Sequence, residues 1–421
     1  MKIIHRVGVY RLGSLISSLL FVGVAWPCGA QSKLSLQEAI DQALKTRASL
    51  KAEAQRVSAA RGLQRQAELI QNPTFQFENQ NLRPSQIYTR DVDTYAYLTQ
   101  PLDVLGKRKR RIALATKEVA STQAQYELAQ RQIAQDIKRS YWTARGAQEL
   151  RDLLNASVEN FQKILDYDSA QLSVGAISEQ DFLRIRLEGE RLEIAANLAV
   201  LEATRTRVQL QRQMGQTDFP DLVLTEPLDA NQTPIASVNI QQVLAQRIEM
   251  RVANAALESA QAKARLEEVA ARPDLNLEFG YKRTQLVDAT AGTNSALAGV
   301  QITLPLMDRN QGNRATANAE VLRQQQLLAE TQANVLADYY SALQQYQLRV
   351  KEVSGILQPL REHAKEVSDI AQAAYAQGGT DLLRLLDGER ARLDAEAGYV
   401  QGMVEYQQSI VDLEAAEGAT P

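Results

Sequence analysis

Two spacings of apolar residues organise this chain. Leu336, Tyr339, Leu343, Tyr346, Val350, Val353, Leu357 and Leu360 recur at alternating steps of three and four. That is the seam of a helix packed along its length against another helix. A looser version runs earlier, through Leu150, Leu154, Val158, Phe161 and Leu165. Elsewhere the step is two. Leu275, Leu277, Phe279 and Tyr281 alternate with Asn276, Glu278, Gly280 and Lys282, and Ala298, Val300, Ile302 and Leu304 alternate with Gly299, Gln301 and Thr303. Phe75 and Phe77, then Tyr95 and Tyr97, mark two further strands whose apolar face carries these aromatics. Alternation over about ten residues has the period and length of a transmembrane β-barrel strand. Four strands do not close a barrel across a membrane, so the pattern predicts completion by other subunits.

The pattern occurs twice. Pro73 and Pro273 are 200 residues apart, Pro101 and Pro305 are 204 apart, and Gly175 and Gly378 are 203 apart, in preserved order. A repeat of this size is an internal duplication. Each copy predicts a helical stretch, a strand pair, a long helix, a turn and a return helix. In the first copy the helical stretches are 34–72, 107–173 and 178–216; in the second they are 238–272, 311–377 and 381–416. The long helices reach about 100 Å at ~1.5 Å per residue. The two 39-residue stretches of the first copy, 34–72 and 178–216, total about 117 Å end to end. An antiparallel hairpin with one long rod and one rod of two half-length helices fits those sizes. Pro359 lies within the second seam and is expected to bend that helix without ending it. The organisation is therefore a first repeat at 31–216, a Pro- and Asp-rich linker at 217–237, a second repeat at 238–416 and a short tail at 417–421.

The first thirty residues are of another kind. A basic start, the apolar run "LGSLISSLLFVGVAW" and Ala30 predict a secretory leader cleaved after Ala30. Trp26-Pro27 before Cys28 is not the small-residue context of lipidation, which is therefore not expected. The leader takes with it the single cysteine and three of 47 basic residues but no acid, so the net charge moves from −3 to −6. An exported chain without thiols relies on packing for stability. His363 is then the one remaining histidine, which argues against zinc catalysis. A lone helical His is expected to be an ordinary surface residue. A mean hydropathy of −0.31 excludes a polytopic helical membrane protein. The chain shows no Gly-rich phosphate loop and no nucleophile motif.

The two copies share an awkward phrase: "QPLDVLGKRKRR" at 100–111 and "LPLMDRNQGNRA" at 304–315. Pro101 and Pro305 are expected to end the strand ladder, and Gly106 and Gly312 to turn the chain into the long helix. The basic run Lys107–Arg111 reads as a solvated face that also meets anionic headgroups, not as a nucleic-acid site. With these phrases, "SVGAIS" and "YAQGGTDLLRLLDGER", the chain resembles the TolC-like outer-membrane efflux factors over essentially its whole exported length. The post-strand phrases are most similar to the heavy-metal (cobalt–zinc–cadmium) branch. The resemblance implies a mainly α fold with membrane β: long α-hairpins forming a periplasmic tunnel under a trimeric twelve-stranded outer-membrane barrel. It implies a homotrimer in outer-membrane lipid, served by a periplasmic adaptor and an inner-membrane pump of the resistance-nodulation-division type. Conduction is passive, with no enzyme activity, cofactor or metal site.

"SVGAIS" and "AQGGTD" place glycine at helix ends, with Ser178 and Asp381 as N-caps of the return helices. A well-made hairpin needs no more. The resemblance adds adaptor docking at Leu172, Val174, Gly175, Ala176, Ile177, Gly378, Gly379 and Thr380, with Leu172, Val174 and Ile177 exposed for that purpose. It also implies an aperture lined six and nine residues past each glycine, by Asp181 and Arg184 and by Arg384 and Asp387. Arg384 departs from the acidic pattern of the family. Opposite signs at matching positions suggest ion pairs between neighbouring hairpins, Asp181 with Arg384 and Arg184 with Asp387. Surface salt bridges are the plainer reading. Two alternatives stay open: a multidrug or type I secretion conduit, and a non-conducting coiled-coil surface protein, which would have no reason to carry four alternating strands.

Overall fold

A computed structural model describes residues 32–82, 84, 91–229, 239–285 and 292–419. The expected leader, its cleavage site and residues 230–237 of the linker lie outside them. In chain order the elements are β1 (Ser32–Leu34), α1 (Leu36–Thr46), α2 (Ala48–Glu68), β2 (Thr74–Gln80), β3 (Val92–Leu102), α3 (Lys107–Ser173), α4 (Glu179–Gln213) and β4 (Leu222–Leu224). The second repeat follows as α5 (Ile240–Gln246), α6 (Ile248–Ala270), β5 (Leu275–Gln285), β6 (Thr293–Ile302) and α7 (Gln311–Glu352). A π-turn (Val353–Leu357), α8 (Gln358–Ala376) and α9 (Leu382–Glu417) complete it. The long rods fall where the spacing puts them, and α3 packs against both α2 and α4, as the two-half-rod arrangement requires.

Each opening helix is broken where the sequence reading has one stretch. Arg47 and Arg247, at φ/ψ of −61°/120° and −65°/126°, interrupt it. The break holds the end of the same repeat. Gly215 and Gly418, both at φ +81°, pack so closely on Arg47 and on Gln246–Arg247 that an added side chain would crowd the backbone there. Each glycine follows a helix and is succeeded by the same six-to-one bond, Gln216 N–H to Gln211 O and Ala419 N–H to Glu414 O. Around these knots lie two apolar cores. One gathers Ile40, Ile137, Tyr141, Leu210 and Met214. The other gathers Val335, Tyr339, Tyr346, Met403, Tyr406 and Leu413. The linker is not plain coil either: β4 pairs in parallel with β1. Tyr141, fully buried, donates to Leu34 O at 2.9 Å and accepts from Thr225 and Glu226 N–H at 3.2 and 3.3 Å.

Pro359 behaves as expected. The five-residue π-turn precedes it, with the Gln358 N–H bonded back to Val353 O, and helix continues on both sides. Widening the turn accommodates a ring that would otherwise meet the carbonyl four residues back. The seam changes course there. Tyr339, Tyr346 and Val353 are buried, but Leu360 is 49% exposed while Ala364 and Ser368 are buried.

The four longer strands form one antiparallel sheet in the order β2-β3-β5-β6, so the two hairpins lie side by side. Opposite residues share a face. Phe75, Leu98, Phe279 and Ala298 make one apolar row, and Phe77, Ala96, Tyr281 and Ala296 the next. Leu277 with Val300 and Leu275 with Ile302 extend the band. From Leu275 to Tyr281 the rows span about 20 Å of strand at ~3.4 Å per residue. The parity expected for β3 is wrong. Tyr95 and Tyr97 pair with Glu78 and Gln76, and with Lys282 and Gly280, on the polar face. There the Lys282 ammonium lies 5.0 Å from the centre of the Tyr95 ring, and Gly280 leaves room for Tyr97, whose Cβ a side chain would strike. An aromatic pair at step two identifies a face but not which face.

The shared phrase has a partly different purpose. Pro101 does not end the ladder. It lies within β3 beyond the start of β2, whose pairing begins at Thr74 opposite Thr99, and β3 continues to pair β5 through Leu102. On that side its missing N–H has no β2 partner to serve. Gly106 does turn the chain, at φ +83°, but in the second copy Asn310 does so at φ +60°, and Gly312 is an ordinary first-turn residue of α7. The basic run is largely engaged. Arg108 donates to Glu68 O, Arg111 to Ala67 O and Leu69 O, and Lys107 pairs with Asp274 at 2.7 Å. Cations here cap the carbonyl end of α2, and Asn310 does the same for α6 through Glu267 O at 2.9 Å.

Candidate functional site: the hairpin tips and their cross-links

The helix pairs α3/α4 and α8/α9 end in matched turns. Gly175 and Gly378 take φ of +72° and +70°. Ala176 N–H bonds Gln171 O at 2.9 Å and Gly379 N–H bonds Ala374 O at 2.8 Å, the six-to-one closure of a helix that ends in a left-handed residue. Ser178 and Asp381 then cap the return helices, accepting from Asp181 and Arg384 N–H. At the tips Val174 is 77% exposed, and Gly175, Ala176, Gly378 and Gly379 are exposed. Leu172, Ile177 and Thr380 are half-buried, so only Val174 of the three apolar tip residues presents the bare surface expected of all three.

The four aperture candidates make no ion pair with one another among the described residues. Arg184, Arg384 and Asp387 are exposed. Asp181 is half-buried and accepts the Ser178 hydroxyl at 2.7 Å. The cross-links between the hairpins lie elsewhere. Arg390 of α9 grips Glu188 of α4 with two donors, Nε at 2.9 Å from Oε1 and a second nitrogen on Oε2. That guanidinium holds the Glu188 carboxyl below the usual carboxylate range. Beneath the pair, Phe161, Ile185 and Leu386 form a small core of their own.

Nearer the tips, Tyr375 of α8 donates to Asp168 Oδ1 of α3 at 2.9 Å. Asp168 is fully buried, and its second oxygen has no hydrogen-bond partner. Desolvation raises its carboxyl above the ordinary range, with the Tyr375 bond opposing. Desolvation and the Asp168 bond both push the Tyr375 hydroxyl upward, and the charge of Asp181 adds to this. Asp181 is thereby brought into the same cluster from the sequence-derived set. One turn further along, buried Glu389 accepts from Ser368 at 2.6 Å and from Gln372, and pairs with Arg392 at 3.1 Å. Burial alone would raise this carboxyl, but its partners hold it low. A cavity of about 520 Å³ opens between α3, α8 and α9, lined among others by Tyr167, Tyr375, Glu389 and Arg392.

Sequence reasoning missed Asp168, Tyr375, Glu188 and Arg390. Their partners are some two hundred residues apart, so no local spacing announces them. The one available signal was an Asp at the edge of an apolar helix face. His363 is exposed, and no cluster of metal-ligating side chains occurs among the described residues. No described helix is long and apolar enough to cross a membrane.

A duplicated set of long periplasmic-type hairpins beneath a sheet with one apolar face defines a class: channels that meet the membrane through β-strands and extend away from it through helices. The sequence profile described as outer membrane efflux protein matches residues 39–216 and again 239–419, and the chain belongs to that family. It is 26% identical over 377 residues to the cobalt-zinc-cadmium resistance protein CzcC of Cupriavidus metallidurans, covering 89% of this chain and 88% of that one. It is 22% identical to the cation efflux system protein CusC of Escherichia coli O157:H7, covering 84% and 79%. Its fold superposes on a membrane protein from Pseudomonas aeruginosa with a TM-score of 0.75, at 20% identity, covering 91% of this chain and 90% of that one. Crystal structures of CusC match with a TM-score of 0.75 at 19% identity, covering 91% and 92%. The protein is the non-catalytic outer-membrane channel component of a tripartite efflux system.

Proposed function

We propose that three copies of this chain close a twelve-stranded barrel and a helical tunnel that conducts heavy-metal cations outward. The observation that carries the assembly is the sheet itself: β2 and β6 are both unpaired edges beneath an apolar face. An open edge in a bilayer leaves backbone groups without partners, at several kcal/mol each. Joining β6 of one copy to β2 of the next removes every edge. The helices carry a matching need. Leu183, Leu187, Ile194, Leu198 and Leu201 of α4 are exposed, as are Leu360, Val367 and Ile370 of α8. Neighbouring copies cover such stripes in a closed ring.

Substrate reaches the tunnel from a resistance-nodulation-division pump through a periplasmic adaptor that docks on Val174–Ala176 and Gly378–Thr380. The likeness to CzcC and CusC over most of both chains supports heavy-metal cations over drugs or secreted protein. The inter-hairpin links, Asp168–Tyr375 and Glu188–Arg390, hold the tips closed at rest. Asp181, Arg184, Arg384 and Asp387 form charged rings at the aperture when threefold symmetry multiplies them. Deleting the gene tests the substrate. Cells should accumulate zinc, cobalt or cadmium and regain efflux on complementation. Unchanged metal content together with raised accumulation of a dye substrate would contradict the metal reading and favour the multidrug one.

A further inference from the structure

We propose that Asp168 makes the closure of the tips sensitive to protons, so that acid favours the closed state. The proposal rests on the reading above that the tips close the tunnel. Three observations carry it. Asp168 joins the two hairpins through the Tyr375 hydroxyl, at a point seven residues before the Gly175 turn and three before the Gly378 turn. The side chain is fully buried, and one carboxyl oxygen has no partner. No cation faces it. Tyr375 from α8 bonds it, Tyr167 on α3 and Asp181 on α4 bear on that tyrosine, and all of these are acidic groups. Other charged groups are differently engaged: Lys163 of α3 and Lys365 and Asp369 of α8 line the adjoining cavity, Glu389 and Arg392 of α9 are bonded to each other, and Arg384 and Asp387 face solvent.

A carboxylate in that position is expensive to ionise, because it loses water and gains one hydrogen bond. Burial accordingly raises its affinity for a proton in the closed arrangement. Opening separates α3 from α8 and returns the carboxyl to water, where its ordinary value of 3.8 applies. The closed state therefore binds the proton more tightly than the open state. Its advantage is full below the ordinary value and is lost as pH rises through the raised one. Within that window closure shifts by as much as ~10-fold per pH unit for each protomer. Glu188–Arg390 works in the other direction and only at lower pH, since its carboxyl is held below the ordinary range. The two links thus respond to protons in opposite senses, Asp168 above its ordinary value of 3.8 and Glu188 below its own of 4.5.

The test is single-channel recording of the purified full-length channel in planar bilayers at fixed salt, from about pH 8 to about pH 4.5, a span that brackets a raised carboxyl. The parent protein is expected to conduct less often as pH falls. Asp168→Asn, neutral at every pH, should stay at the parent's acid level throughout. Tyr375→Phe should conduct more often at every pH yet keep the pH response. An Asp168→Asn channel that follows the parent's pH curve would overturn the proposal while leaving the closure intact. Tyr375→Phe and Arg390→Glu channels identical to the parent at all pH values would overturn the closure itself. Infrared titration of the intact parent supplies a second arm should the Asn variant fail to assemble. Burial raises Glu417 as well, so two protonated carboxyl signals persisting above the ordinary carboxylate range are expected, and one alone contradicts the assignment.

Discussion

Reversing the charge of Arg390 should open the tips. Its guanidinium bridges α9 to Glu188 of α4 with two donors. The Glu188 side chain is 18% exposed and that of Arg390 is 47% exposed, so solvent screens the pair from one side. Such a pair is worth no more than ~1 kcal/mol. Arg390→Glu removes it and sets a third acid beside Asp387 and Asp394, whose charges already act on this position. A net cost of ~1 kcal/mol per protomer is a conservative sum. If three copies close together, ~3 kcal/mol shifts the closed-to-open ratio on the order of 100-fold. Bilayer recordings in about 0.1 M salt should show the difference, and it should shrink in about 1 M salt, where the Debye length falls to ~3 Å. The double change Glu188→Arg with Arg390→Glu should restore closure. Conductance equal to the parent's at low salt, or an increase indifferent to salt, would refute the reasoning and remove this pair from the closure.

Tyr141→Phe should lower stability by ~1 kcal/mol or more, because the half-buried Glu226 N–H loses its partner at the β1–β4 anchor; calorimetry against the parent measures it. Val at both Gly175 and Gly378 forces side chains into left-handed backbone at ~1–2 kcal/mol each. Metal resistance in cells should then fall further than the amount of assembled protein on native gels. At the proposed aperture, Arg384→Glu or Asp387→Arg should raise single-channel conductance, and Asp181→Arg with Arg384→Asp should restore much of the closed behaviour. Equal conductance in all three would return these charges to a solvated face.

Much of this architecture was legible because its signals are periodic. The first long helix begins and ends at Lys107 and Ser173 as the spacing predicts, and the tip glycines and caps declare themselves by residue type. What failed had no period to offer. Arg47 and Arg247 break helices without a Gly or Pro at the break, because packing against Gly215 and Gly418 sets their backbone. The three-residue strands β1 and β4 are too short to alternate. Tyr95 and Tyr97 carry the right step but the opposite parity, since Ala96 and Leu98 are the residues that continue the apolar rows. The Asp168–Tyr375 link joins residues 207 positions apart, a proximity that only the packing of α3 on the second repeat creates.

The mass of the channel extracted from the outer membrane, taken by native mass spectrometry, bears most directly on the central claim. Each chain supplies four strands with two bare edges, and joining β6 to β2 around a threefold axis satisfies them. A single species of three times the chain mass is the expected result. A stable one-chain species in the membrane extract would mean that β2 and β6 need no partner, and would contradict the account.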